Sequence, residues 1–67
     1  KLKEYEEAEI NIKQALNLDQ ESPTLFDHYG DILYANNNIN GAINQWKKAL
    51  ELDPNNLNIK KKIQANE

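Results

Sequence analysis

The stretch that decides the fold runs from Asn38 to Asn56 and reads NINGAINQWKKALELDPNN. Its apolar residues fall at Ala42, Trp46, Ala49 and Leu50, with Leu52 just behind. Steps of three and four return to one side of a helix, so the spacing predicts an amphipathic helix. Asp53-Pro54-Asn55-Asn56 predicts its end, because Pro54 has no N–H to donate and disfavours a helical Asp53.

The same step recurs on both sides. From Leu2 to Leu18, the residues Tyr5, Ala8, Ile12, Ala15 and Leu16 make a helical stripe free of Gly and Pro. Asp19 to Ser22 breaks it. Ser22-Pro23 then opens a second helix, since Ser is a good N-cap and Pro suits the first helical position. Phe26, Tyr29 and Leu33 form its stripe, flanked by Leu25 and Ile32. Gly30 inside this helix costs about 1 kcal/mol against Ala, which suggests a close approach by another helix. Asn36-Asn37-Asn38 ends it, because Asn tolerates the left-handed conformation a helix stop requires. A fourth helix is expected from Leu57 to Asn66, capped by Asn56. Its apolar content is only Leu57, Ile59 and Ile63, as expected of a solvated end cap.

Shifted by 34 positions, the chain matches itself. Ala8 falls on Ala42, Ile12 on Trp46, Ala15 on Ala49, Leu16 on Leu50, Asp19 on Asp53, and the cap Ser22 on the cap Asn56. A 34-residue period of two helices and two turns is the tetratricopeptide spacing. The chain resembles the tetratricopeptide repeat (TPR) family in its motif residues too. Phe26 takes the first aromatic place, Tyr29-Gly30 the Leu-Gly place, Ala42 and Ala49 the small places, Trp46 the later aromatic place, and Pro54 the Pro. Leu33 stands where an aromatic is usual, with Tyr34 beside it, and Asn37 replaces the usual turn Gly. The run Asp27 to Asp31 with Trp46 to Ala49 is similar to the last repeat of many bacterial TPR proteins. The resemblance implies an all-α fold of about four helices, a fragment of a right-handed superhelical solenoid. Residues 1–21 correspond to the second helix of a preceding repeat, 22–55 to one complete repeat, and 56–67 to a capping helix. Lys3 then stands at the turn Gly place, Gln20 at the Pro place and Lys60 at an aromatic place. The repeat-defining core comprises Ala8, Ile12, Ala15, Leu16, Phe26, Tyr29, Gly30, Leu33, Ala42, Trp46, Ala49, Leu50 and Pro54.

Composition narrows the rest. At 67 residues the chain makes one domain with a small core. It has no Cys, so disulfides, thiolate catalysis and zinc–thiolate sites are excluded. The net charge of −3 offers no pull towards nucleic acid. The apolar residues are too scattered for a membrane helix, and no signal-peptide pattern is present. Lys1 opens a chain without any Met, so a piece of something longer is expected. Heavy use of Asn, Lys and Ile suggests a bacterial source, with cytoplasm and cell envelope equally open.

Few residues suggest chemistry. Asp27, His28 and Asp31 cluster, but His28 is the only His and points about a third of a turn aside. A solvated charged face is the plainer reading, and no nucleophile motif or phosphate loop is present. No enzyme, metal or cofactor is expected. Lys60-Lys61-Lys62 reads as a solubilising run rather than a nucleic-acid patch. By the family's pattern, the peptide groove is lined by Thr24, Asp27, His28, Asp31 and Tyr34, joined by Asn58, Lys61, Lys62 and Ala65. The resemblance implies a protein–protein interaction module, the alternative being a structural cap or self-association segment without a ligand. Asp27 and Asp31 would repel the acidic tail that chaperone-binding TPRs grip, so a basic or mixed-charge peptide with an apolar anchor near Tyr34 is expected. The first helix lacks a cover on one side, so Leu2, Tyr5, Ala8 and Ile12 are expected to support a homodimer.

Overall fold

A computed structural model describes residues 2–67, with side chains from Glu4 onward. It contains α1 (Leu2–Leu18), α2 (Pro23–Ala35), α3 (Ile39–Leu52) and α4 (Leu57–Asn66). The expected element order and all-α class are both present.

Each turn is built by the residues that mark it in the sequence. Ser22 Oγ accepts the Leu25 N–H at 3.3 Å, Asn38 Oδ1 the Gly41 N–H at 3.0 Å, and Asn56 Oδ1 the Ile59 N–H at 3.1 Å. These are three N-caps of one kind, each quenching an orphan donor of its helix. Asn37 is left-handed, with φ 66°. Its N–H reaches the Tyr34 carbonyl at 3.0 Å, and the Asn38 N–H reaches the Leu33 carbonyl at 2.8 Å. That pair of bonds is a Schellman stop, made by Asn in place of Gly. Asn38 therefore closes α2 through its backbone and opens α3 through its side chain. After α3, the Asn56 N–H donates to the Asp53 carbonyl at 3.1 Å, a turn with Pro54 in its second place.

The core lies in the last three helices. Leu33, Ala42, Trp46, Ala49, Ile59 and Ile63 are buried together, and Phe26, Tyr29, Ile43 and Leu50 pack around them. Trp46 is 2% exposed. Gly30 lies directly against its indole, where a Cβ would collide with Cδ1 and Nε1. The missing side chain at Gly30 is thus what lets α2 and α3 approach over the largest residue of the core. From α1, Ile12 and Leu16 are buried.

Several expectations need correcting. Pro54 is exposed, so it shapes a turn and fills no core. Leu57, read as part of the α4 stripe, is 66% exposed, and Leu52 also faces solvent. Ile59 and Ile63 are the buried residues of α4. Ile12 is only 9% exposed, because α2 covers most of it, and it shows just an edge in the hollow beside α1. Tyr5 and Ala8 remain partly open, and the Leu2 side chain lies outside the described residues.

Candidate functional site

α2 and α4 lie side by side across α3 and are joined by one clasp. Asp27 and Asp31 are a turn apart on α2, so their carboxylates share a side. Lys62 of α4 reaches both. Its Nζ donates to Asp27 Oδ1 at 2.9 Å and to Asp31 Oδ1 and Oδ2 at 2.9 and 3.2 Å. The same ammonium stands 5.8 Å from the centre of the Trp46 ring. Trp46 Nε1 in turn donates to Asp31 Oδ1 at 3.2 Å. A buried indole needs an acceptor for its N–H, and a carboxylate supplies it here.

This arrangement sets the charge of the site. Burial alone would lower the Lys62 pKa, but the hydrogen bonds to Asp27 and Asp31 outweigh it and raise it above 10.5. Lys62 is therefore a firmly held ammonium that cancels much of the acidic pair. The expectation that Asp27 and Asp31 act as free charges against an acidic ligand needs revision, because both are already paired.

Beside the clasp lies an open depression of about 410 Å³. Asp31, Tyr34 and Trp46 form one wall, and Lys61, Lys62, Ala65 and Asn66 the other. Tyr34 is 47% exposed, with its ring 5.9 Å from that of Trp46. The site thus offers an aromatic floor between charged flanks, a form suited to one apolar side chain of a peptide.

The expected groove residues are only partly brought together. Asp27, Asp31, Tyr34, Lys61, Lys62 and Ala65 gather around the clasp and the depression. Thr24 and Asn58 are exposed on the same two helices but line no depression there. His28 turns the other way, into a hollow shared with Ala8, Asn11, Ile12, Asp31 and Ile32. Among the described residues, no group of three or more His, Asp or Glu is placed to hold a metal ion. The lysine run splays. Lys62 points into the clasp, Lys60 is half-buried, and Lys61 is exposed. Trp46 is the site residue that sequence reasoning missed, having been assigned to packing alone. The need of a buried indole N–H for an acceptor was the available signal.

Residues 30–59 match the family model of a TPR repeat, from Gly30 beneath the indole to Ile59 at the start of α4. The chain carries a TPR repeat. The matched residues take in the end of α2, all of α3 and the start of α4. No curated protein and no solved structure compared with the chain gave a significant match. TPR repeats suggest a protein-interaction scaffold, and no described helix is long and apolar enough to cross a membrane.

Proposed function

We propose that the chain is a protein–protein interaction module without catalysis of its own, binding a short peptide segment between α2 and α4. Residues 22–55 make the complete repeat in this reading, 1–21 the second helix of the unit before it, and 56–67 the cap. The observation that carries it is Tyr34. It is an aromatic side chain held half-exposed against Trp46 at the floor of a depression with charged walls. The ligand is a peptide of mixed charge with one apolar anchor. The anchor sits on Tyr34 and Ala65, an anionic group meets Lys61, and a cationic group meets the outer edge of Asp31. A uniformly acidic tail finds one fully exposed lysine there, and only Asp27 and Asp31 beyond Lys62. Nucleic acid is outside the reading for the same reason.

Sorting a library of short random peptides on the immobilised chain tests this. The expected consensus has an apolar anchor with both signs of charge, and its binding is lost in Tyr34→Ala while the helical circular dichroism is kept. A consensus of acidic tails, or binding unchanged by Tyr34→Ala, would sink it. One observation favours the purely structural alternative. The acidic pair is already filled by the chain's own Lys62, as in a closed end unit. If no peptide is enriched, that alternative stands.

A further inference from the structure

The second hollow, away from the peptide groove, has a counterpart inside the fold. It measures about 390 Å³ and is lined by Leu50, Lys60, Ile63, Gln64 and Glu67. Thirty-four positions earlier stand Leu16, Phe26, Tyr29, Gly30 and Leu33. Those five line the seat of α3. Gly30 lies under Trp46, Phe26 under Lys48, and Tyr29 and Leu33 join the core. Leu16 borders Lys48 and Leu52. The hollow is thus the α3 seat repeated one period later. The helix that matches it is also in this chain, because α1 carries Ala8, Ile12 and Ala15 where α3 carries Ala42, Trp46 and Ala49.

We propose that a second copy of the chain docks head to tail, its α1 seating in the hollow formed by α3 and α4. Three further features support this occupant over another. The hollow beside α1, lined by Ala8, Asn11, Ile12, His28, Asp31 and Ile32 and about 470 Å³ in volume, would receive α4 in the same contact. One docking event therefore fills both hollows. The charges are also opposed. α1 holds four glutamates against two lysines, whereas α4 holds three lysines and no acid. Sizes complement each other as well. Gln64 stands at the Gly30 place, and the visiting helix brings Ile12 at the Trp46 place, so the larger side chain has changed sides. With Lys60, Gln64 and Glu67 in the seat, the contact is polar and salt-sensitive. Its two surfaces differ, so growth is open-ended instead of stopping at a pair.

Sedimentation equilibrium of the whole chain tests this independently of any groove ligand. The expected weight-average mass passes twice 7.8 kDa over a roughly hundred-fold rise in concentration and falls when salt is raised. Asn11→Arg at one end and Lys60→Glu at the other should each reduce association, and mixing the two should restore a single contact, a mixed pair joined through their intact ends. Gln64→Glu, at an exposed position, replaces Lys60→Glu if that variant loses helical circular dichroism. A single-chain mass at every concentration overturns the proposal. So does a plateau at two chains, or association that both end variants leave intact.

Discussion

Residues 34 apart give α1 and α3 the same stripe, yet the two helices live in different surroundings. Ala42 and Ala49 are 0% exposed, while Ala8 and Ala15, their equivalents, are half-buried. Trp46 sinks between two helices, whereas Ile12 is covered by one. The difference lies less in the stripe than in the neighbours: α3 packs on both α2 and α4, and α1 chiefly on α2. A repeat unit of this kind specifies a helix face, and the adjoining units decide how much that face contributes to stability.

The largest test of this contrast is a pair of truncations. Trp46→Ala should remove about 3–5 kcal/mol and, in so small a core, abolish the cooperative thermal melt. Ile12→Ala, at the equivalent place, should cost about 2 kcal/mol, near the low end for such truncations because the one-sided packing can relax. Equal losses by thermal denaturation would break the comparison. Enlargement is the complementary test. Ala42→Leu has no room and should cost about 1–3 kcal/mol, whereas Ala8→Leu should leave the melting temperature near that of the parent. If both variants melt alike, α1 is as tightly covered as α3.

Gly30→Ala sharpens the point within the hairpin. The added methyl meets the indole, so overpacking of about 1–3 kcal/mol opposes a gain of about 1 kcal/mol in helix propensity. The expected net effect is a modest loss that disappears in a Trp46→Ile background. A double-mutant cycle on urea midpoints measures it, and a loss unchanged by Trp46→Ile would assign the cost elsewhere.

The smallest effect belongs to the clasp. Lys62→Met keeps most of the side-chain stem and removes the charge, at a cost of about 1 kcal/mol for a partly exposed pair. The folded pKa of Lys62 is raised above 10.5, so its contribution is complete below that value and fades as pH rises through the folded pKa. The gap in melting temperature between parent and Lys62→Met should therefore be constant near neutrality and narrow above about pH 10.5. A gap that persists in strong alkali would show that Lys62 acts through packing alone.

The fold was legible because its signals are local and repeated. Ser22, Asn38 and Asn56 cap by the same short-range geometry, and Asn37 takes the left-handed turn that its residue type tolerates. The site was legible only in part. Successive residues on a helix point about 100° apart, so Lys60, Lys61 and Lys62 cannot all face α2. Which one does depends on how α4 rolls on α3, and Ile59 and Ile63 set that through tertiary packing. Sequence reasoning placed Asp27 and Asp31 on one side correctly, but their partner is 31 to 35 residues away. Leu57 shows the same limit. It fits the apolar count of α4 yet lies outside the arc that Ile59 and Ile63 bury.

The position of Trp46 has an optical consequence. It is the only tryptophan, so intrinsic emission excited at the indole band reports a single environment. The N–H edge of the ring lies against Gly30 and donates to Asp31, while the π-face meets Lys62 beside the depression. Melting of the α2–α3 hairpin, release of the α4 clasp and arrival of a side chain on Tyr34 each perturb a different part of that surround. The chain therefore carries a built-in fluorophore at the junction of core and groove, and a titration can be followed without attaching a dye.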